Sequence, residues 1–216
     1  MTRFVSFEGR DGSGKTTHLR LLESYLLSKG QLCLCTREPG GTPLGKMIRR
    51  VLLEAGEEEI FSPTELFLYL ADRAQHVREV VQPALESGKL VLCDRFTDST
   101  LAYQGYGRGV DLEMLRHLNQ LASGGISPDL TLLLDCPVEV GLSRTANRAV
   151  GQGSSKERED RFEREQLDFH ERVRRGFLEL ARGEPKRIHV LDASHPVEEI
   201  QQEIRRIVDA KLRFKE

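Results

Sequence analysis

The sequence has almost no excess charge and no long apolar run. Its 32 Lys and Arg residues nearly balance its 34 Asp and Glu residues, which leaves a formal net charge of −2. Proteins whose main partner is a nucleic-acid polymer usually carry an excess of positive charge, so we expect no such partner. A helix that crosses a bilayer needs about 18 consecutive apolar residues, and the sequence has no such run. We therefore expect no membrane partner either. The opening residues MTRFVSFEG contain no apolar core of a secretion signal, and together these absences predict a cytoplasmic protein.

Cysteines are few, and they are not spaced for a metal site. The four cysteines form no C-x-x-C pair and lie in short apolar runs, at Cys33, Cys35, Cys93 and Cys136. Cysteine metal sites normally show close spacing, and cytoplasmic proteins keep their thiols reduced. We therefore predict buried, reduced thiols without a metal or a disulfide.

One glycine-rich stretch, EGRDGSGKTT at residues 8–17, stands out from the rest of the chain. Gly9, Gly14, Lys15 and Thr16 satisfy GxxxxGK[ST], a pattern whose backbone N–H groups surround phosphate oxygens at a helix N-terminus. The lysine reaches the outer phosphates, and the threonine hydroxyl can hold Mg²⁺. A glycine cluster can also form an ordinary tight turn. Here an apolar run precedes it and an amphipathic segment follows it, which favours nucleotide binding.

Apolar periodicity predicts five strands that alternate with helices. Strands are predicted at residues 4–7, 31–36, 90–93, 130–134 and 188–191. Helices are predicted at residues 19–27, 44–53, 64–85, 112–121, 138–146, 158–180 and 196–212, and residues 149–155 are predicted to be non-helical. This alternation predicts a three-layer α/β fold, with a five-stranded parallel sheet between helices. The absence of an internal linker predicts one domain over residues 1–216.

Polar motifs follow the second and third predicted strands. Residues 37–42 read REPGGT, and Asp94 and Arg95 follow the apolar run that ends at Cys93. Ligands of open α/β sheets bind at the carboxyl ends of the strands, so these motifs should share an edge with the glycine-rich stretch. Asp94 could organise Mg²⁺ and its water ligands, and Arg95 could hold a phosphate. The alternative for residues 37–42 is a plain loop before the next helix.

Two further segments allow more than one interpretation. Tyr69 and Arg73 lie four residues apart and share a helix face, which suits either a packed tyrosine with a surface cation or a pair that stacks on a base and reads its edge. Residues 99–106, STLAYQGY, suit either a capped surface helix or a set of groups that hydrogen-bond a heterocycle. Periodicity does not choose between these alternatives.

The region at about residues 144–161 combines glycine and serine with many cations. Residues 150–155 have no apolar period, and the flanking cations are Arg144, Arg148, Lys156, Arg158 and Arg161. Such a charge run is usually a solvated helix face. Beside a phosphate-binding loop it could instead be a mobile lid that brings cations onto a transferring phosphoryl group and excludes water.

With these motifs in this order, the chain resembles bacterial thymidylate kinase over essentially its full length. The resemblance rests on FEGRDGSGKTT, TREPGGT, LADRAQH and DRFTDSTLAYQGYGRG. Many proteins share the first motif, whereas the second and fourth are far more specific. The resemblance implies a P-loop kinase fold with a mobile lid, a homodimer, and transfer of the γ-phosphoryl group of ATP to dTMP with Mg²⁺, giving dTDP and ADP.

The resemblance also implies roles for individual residues. The ATP-binding set is Gly9, Arg10, Asp11, Gly12, Ser13, Gly14, Lys15, Thr16, Thr17 and Arg144, and the metal-binding set is Thr16 and Asp94. The dTMP-binding set is Asp11, Glu38, Arg49, Tyr69, Arg73, Arg95, Ser99, Thr100 and Gln104. The implied catalytic residues are Lys15, Glu38, Arg95 and Arg158.

Within the dTMP-binding set, the resemblance distinguishes phosphate, sugar and base contacts. Arg49 and Arg95 are implied on the 5′ phosphate, and Asp11 on the 3′ hydroxyl. Tyr69 would stack on thymine, where the family commonly has phenylalanine. Contacts to the base edge are implied for Arg73, Thr100 and Gln104.

On the ATP side, Gly12 stands where some family members place an arginine, which groups this chain with members that supply the arginine from the lid. Arg148, Lys156 and Arg158 are the candidate lid cations, and the resemblance does not choose among them. Adenine is implied between the segment near Arg144 and the loop at residues 193–196.

Two other functions stay open from the residues alone. One is a different nucleoside or nucleotide kinase, which would prefer GMP, CMP or an unphosphorylated nucleoside. The other is a P-loop regulatory or ATP-binding module without a small acceptor, which would hydrolyse ATP slowly and without any response to dTMP.

Overall fold

The computed structural model describes residues 3–54, 60–151 and 165–212, with the backbone alone for residues 54, 147–151 and 212. It contains the five predicted strands, which are β1 (Phe4–Glu8), β2 (Cys33–Arg37), β3 (Leu90–Asp94), β4 (Leu130–Asp135) and β5 (Ile188–Asp192). Neighbouring strands pair in parallel, in the order β2-β3-β1-β4-β5. The predicted five-stranded parallel sheet is confirmed.

Helices connect the strands. They are α1 (Lys15–Ser28), α2 (Pro43–Glu54), α3 (Ser62–His76), α4 (Gln82–Glu86), α5 (Thr97–Thr100), α6 (Leu112–Ala122), α7 (Val138–Gly151), α8 (Leu167–Gly183) and α9 (Val197–Leu212). A π-helical turn, Val77–Val81, joins α3 to α4, so the single helix predicted at residues 64–85 is confirmed apart from its ends. A second π-helical segment, Leu101–Gly107, continues α5.

Both faces of the sheet are covered, because alternate strand residues point to opposite sides. On one face, Phe7 of β1 packs in a cluster with Leu22 of α1 and Ile204 of α9. On the other face, Phe4 packs in a cluster with Val81. Burying a side chain of this size contributes about 1.5–3 kcal/mol each, and the three-layer prediction is confirmed.

Several local predictions are wrong. β2 begins at Cys33 rather than at residue 31. Residues 149–151 are helical and form the last turn of α7, which ends at Gly151. Residues 165–166 precede α8 and are not helical, while residues 158–164 of that predicted helix lie outside the described ranges.

The surface-helix alternative for residues 99–106 is also wrong. The segment is helical, but Leu101, Ala102 and Tyr103 are buried and belong to the cluster that includes residues of α8. The cysteines are free thiols as predicted, although only Cys93 and Cys136 are buried; Cys33 and Cys35 are partly exposed because β2 is an edge strand. Among the helices in the described ranges, none combines the length and hydropathy needed to cross a membrane.

Candidate active site

Three neighbouring strands end together at one edge of the sheet. The backbone N–H of Arg95 donates to the carbonyl oxygen of Phe7 (2.9 Å), and that of Glu38 donates to the carbonyl oxygen of Asp94 (3.0 Å). These bonds continue the parallel ladders by one residue beyond β3 and β2. The residues after each strand therefore emerge beside the glycine-rich loop.

The glycine-rich loop joins β1 to α1 and leaves the helix N-terminus open to a ligand. Gly14 is the N-cap of α1 with φ of 90°, a conformation that side chains rarely adopt. The first N–H groups of α1 lack helical partners and favour an anion. Lys15 Nζ lies over this loop and donates to the carbonyl oxygen of Arg10 (2.7 Å). Burial lowers the pKa of the Lys15 side chain to about 8. A phosphate bound beside it would favour the charged ammonium form.

The loop packs tightly against α7. A Cβ atom at Gly12 would lie 2.1 Å from the carbonyl oxygen of Gly141, and φ of Gly12 is +76°. Only glycine fits at this position. Arg10 is buried, and Nη1 of its guanidinium lies 3.6 Å from the Cβ position of Gly141. Its Nε and Nη1 have no hydrogen-bond partner among the described residues. The implied ATP contact of Arg10 remains a prediction.

Thr16 and Asp94, the two residues of the predicted metal-binding set, are in contact. Thr16 Oγ1 donates to Asp94 Oδ2 at 2.6 Å. A hydroxyl and a carboxylate are oxygen ligands of the type that Mg²⁺ prefers, and Mg²⁺ commonly uses one or two carboxylates together with substrate phosphates. In the described part of the chain, no group of three or more His, Cys, Asp or Glu residues forms a separate metal cage. These residues therefore fit Mg²⁺ held jointly with a nucleotide.

Arg95 bridges the glycine-rich loop and the segment after β3. Its Nη1 donates to the carbonyl oxygen of Gly9 (2.9 Å) and to Ser99 Oγ (3.1 Å), and its Nη2 donates to Asp11 Oδ1 (2.7 Å) and to the Tyr103 hydroxyl (3.2 Å). Burial by itself would raise the pKa of Asp11, but the Arg95 guanidinium outweighs burial and keeps that pKa well below its ordinary value. The carboxylate is therefore charged at neutral pH.

A cleft opens beside this bridge. It is lined by all nine residues of the predicted dTMP-binding set: Asp11, Glu38, Arg49, Tyr69, Arg73, Arg95, Ser99, Thr100 and Gln104. The remaining lining residues are Pro39, Leu53, Phe96 and Tyr103. The structure thus brings the predicted residues together, while their individual roles stay predictions.

Arg73 is at the centre of a buried polar network in the floor of this cleft. Its side chain is 2% exposed, and Nε donates to Glu38 Oε2 (2.9 Å). Nη1 donates to Thr100 Oγ1 (3.0 Å) and to Asn119 Oδ1. The other oxygen of Glu38 is 2.8 Å from His76 Nδ1. The surface-cation alternative for Arg73 is therefore wrong, because a helix face can turn toward a cleft as well as toward solvent.

Arg49 and Tyr69 belong to neighbouring helices that wall the cleft. Arg49 Nη1 donates to the carbonyl oxygen of Pro39 at 3.0 Å, and the side chain packs over the loop, with its Cδ 3.0 Å from the Cβ position of Gly40. Tyr69 on α3 is half-buried. The cation and the ring are thus placed at the cleft, as the implied phosphate and base contacts require.

Sequence reasoning missed Glu8, which orders the segment after β3. Glu8 is 0% exposed; its Oε1 accepts from the Phe96 N–H (2.7 Å), and its Oε2 accepts from Ser99 Oγ (2.5 Å). Burial and the nearby Asp98 raise the pKa of Glu8 to about 8. Its position could have indicated this role, because a carboxyl group at the end of an apolar strand, directly before the glycine-rich loop, is unusual.

Glu8 predicts a specific pH dependence of stability. We expect the free energy of unfolding to fall as pH rises from 4.5 to about 8, relative to the Glu8→Gln variant. In this window the folded protein keeps a proton that the unfolded chain has released, so folding is weakened as pH increases. The slope is at most about 1.4 kcal/mol per pH unit.

Urea denaturation of the wild type and of Glu8→Gln at several pH values measures this difference. Glu86→Gln, which changes an exposed glutamate, serves as the control and should show no such slope. If the difference in unfolding free energy between the wild type and Glu8→Gln stays constant with pH, Glu8 does not take up the proton.

On the other side of the glycine-rich loop, the structure brings together the two segments that were implied around adenine. Arg144 Nη1 donates to the carbonyl oxygen of Ala193 at 2.9 Å. His18 is buried beside them, and the Gln201 amide nitrogen lies 3.0 Å from its Nδ1. The adenine contacts remain a prediction.

Only part of the predicted lid lies within the described residues. Arg148 belongs to α7, but its side chain is outside the described set. Lys156 and Arg158 lie outside the described residues. The roles implied for these cations, including the catalytic role of Arg158, stay predictions.

Comparison with known proteins gives one consistent result. A family model described as thymidylate kinase matches residues 7–204. The thymidylate kinase of Desulfovibrio desulfuricans is 55% identical over 212 residues, which cover 97% of this chain and 96% of that protein. The thymidylate kinase of Geobacter sulfurreducens is 54% identical over 198 residues, which cover 92% of each chain.

A solved structure agrees with the sequence relatives. The crystal structure of thymidylate kinase from Ehrlichia chaffeensis superposes with a TM-score of 0.74 at 34% identity, and the match covers 95% of this chain and 97% of that one. The family model, the sequence relatives and the solved structure agree, and the chain belongs to the thymidylate kinase family.

Proposed function

We propose that this chain transfers the γ-phosphoryl group of ATP to the 5′ phosphate of dTMP, giving dTDP and ADP. One observation carries the proposal: a single cleft holds the whole predicted dTMP-binding set and opens beside the glycine-rich loop. Asp11 and Arg95 belong to both, since Asp11 lies in the loop and Arg95 bridges the loop and the cleft. Membership of the thymidylate kinase family supports the same reaction.

Charge neutralisation explains which residue types line the site. Phosphoryl transfer requires two phosphates held in line and little covalent chemistry from the protein. Lys15, Arg49 and Arg95 would offset the repulsion between the phosphates, and their effect grows as water leaves the site. Thr16 and Asp94 would hold Mg²⁺, which when bound neutralises charge on the donor phosphates.

Base recognition would use the opposite end of the cleft. Tyr69 would stack on thymine, while Arg73 would contact its edge together with Thr100 and Gln104. Arg73 is held in one orientation by Glu38, Thr100 and Asn119, so little reordering is needed when a base binds.

The cleft also bears on the competing functions. A regulatory ATP-binding module without an acceptor has no need for a second, arginine-lined cleft beside its P-loop. Other nucleotide kinases do need one, and they differ from the proposed enzyme in the acceptor that they prefer. Acceptor preference is therefore the measurement that separates the candidates.

A coupled ADP-release assay with dTMP, dUMP, CMP, GMP and thymidine tests the proposal. We expect dTMP to have the highest kcat/KM. We expect dUMP, which lacks one methyl group, to be about 10- to 200-fold poorer. Reactions without acceptor are the control. Preference for CMP, GMP or thymidine, or ADP release that does not respond to dTMP, would contradict the proposal.

We also propose that the chain forms a homodimer. Leu44, Met47 and Val51 recur at three and four residues on α2 and are exposed, and Phe67 is exposed on the adjacent α3. An exposed apolar patch of this kind is typical of an interface. Light scattering should give twice the chain mass of 24.5 kDa, and a monomer at micromolar concentration would contradict the proposal.

A further inference from the structure

One buried carboxylate near the cleft is not explained by phosphate or metal binding. Glu65 is 0% exposed and precedes Tyr69 and Arg73 at four-residue intervals, so the three side chains share one face of α3. Glu65 Oε1 accepts from Gln104 Nε2 at 2.8 Å. Arg108 also donates to Glu65, through Nη2 to Oε2 at 3.2 Å.

This contact decides which way round the Gln104 amide sits. An ionised carboxylate can only accept hydrogen bonds, so Glu65 binds the NH₂ group of the amide and not its oxygen. The Gln104 amide oxygen is consequently the end that is left for the cleft, which Gln104 lines. None of the described residues donates a hydrogen bond to that oxygen. Nε and Nη1 of Arg73 already donate to other side chains, which leaves Nη2 as the Arg73 donor for the cleft that this residue lines. A base in the cleft would therefore meet an acceptor at Gln104 and a donor at Arg73.

The two pyrimidines differ at the edge that such a pair would meet. Thymine has an N3–H donor and an O4 acceptor, whereas cytosine has an N3 acceptor and an N4 amino donor. An acceptor at Gln104 and a donor at Arg73 match thymine and mismatch cytosine at both positions. A base that leaves buried polar groups unpaired is strongly disfavoured.

We propose that Glu65 is a positioning residue that sets the preference for thymine over cytosine by fixing the orientation of the Gln104 amide. This inference rests on the proposed function, because it concerns the base of the dTMP acceptor. Without the Glu65 carboxylate, the amide can rotate and present its NH₂ group to the N3 acceptor of cytosine.

The alternative is that Glu65 only neutralises Arg108. Arg108 Nη1 also pairs with Glu165 Oε1 at 2.6 Å. Glu165 thus belongs to the same ionic network but is one step removed from Gln104. A purely structural role predicts that both variants lose stability, Glu65→Gln more than Glu165→Gln because Glu65 is fully buried, and that neither changes base preference.

The experiment compares Glu65→Gln with the matched control Glu165→Gln. Steady-state kinetics with dTMP and dCMP give the ratio of kcat/KM values for the two acceptors. We expect this ratio to fall at least about tenfold in Glu65→Gln and to stay at the wild-type value in Glu165→Gln. In a Gln104→Met background, Glu65→Gln should cause no further change in the ratio.

Circular dichroism and thermal unfolding establish that each variant is folded. If Glu65→Gln does not fold, Glu65→Asp carries the same test, because it keeps a charge near Arg108 and withdraws the carboxylate from Gln104. A folded variant with the wild-type ratio would overturn the inference alone. A wild-type protein that does not phosphorylate dTMP would overturn the proposed function and this inference with it.

Discussion

Replacing Arg95 by alanine is expected to lower kcat with dTMP by about 10³- to 10⁵-fold while the protein stays folded. This range corresponds to about 4–7 kcal/mol of transition-state stabilisation. Arg95 is the cation that contacts the glycine-rich loop and also lines the cleft, so no other cation of the described cleft lining takes its place between donor and acceptor. Asp11 loses its guanidinium partner, but it keeps the hydrogen bond from the Tyr103 hydroxyl, and its side chain is 38% exposed and can be hydrated.

Steady-state and single-turnover kinetics measure this effect. Two further variants provide controls. Arg95→Gly removes the same charge and relieves the left-handed backbone, since φ of Arg95 is 72°, so we expect equal loss of turnover with no lower thermal stability than Arg95→Ala. Arg182→Ala, which changes an exposed arginine, should retain wild-type kinetics. Near-normal turnover of Arg95→Ala would remove Arg95 from the catalytic residues.

Replacing Arg73 by methionine is expected to reduce the free energy of unfolding by about 3–5 kcal/mol. The variant leaves the buried Glu38 carboxylate without its guanidinium partner and with only the His76 ring beside it, and removing one partner of a buried ion pair is costly. Thr100 and Asn119 lose a donor at the same time. The apolar part of the methionine side chain keeps most of the packing against Phe96, over which Arg73 lies at 5.2 Å.

Urea denaturation measures the change, and the double variant Arg73→Met/Glu38→Gln tests its cause. Removing the orphaned charge should recover part of the lost stability. Arg182→Met, in an exposed ion pair with Glu179, is the matched control and should change stability by less than about 1 kcal/mol. If the double variant is no more stable than Arg73→Met, the Glu38 charge left without its guanidinium partner is not the cause of the lost stability.

The sheet could be predicted from the sequence because its physics is local. Short apolar runs such as residues 90–93 can be satisfied only in the interior, and their spacing by helices makes the strands parallel. The same rule placed Glu38 and Arg95 at one edge. Membership of the cleft followed from strand ends and from the family resemblance, and the structure gathers all those residues.

The buried polar contacts could not be predicted in the same way. Glu8, Glu65 and Asn119 are hydrogen-bonded to residues between 22 and 91 positions away in the chain, and periodicity carries no information on such pairs. Polar residues on a helix are read as solvent-exposed by default. Arg73 on α3 shows why this default fails: its burial is favourable because it pairs with the carboxylate of Glu38, which follows β2.

The contact of Gly12 with Gly141 limits which residues can replace Gly12. A side chain at residue 12 would run into the backbone of α7, at 2.1 Å for the first carbon alone. The arginine that the family resemblance implies at this position in some members therefore does not fit the present backbone, because the loop and α7 would have to shift together to admit its side chain. Grafting experiments that aim to convert one arrangement into the other should redesign that helix before they alter the loop.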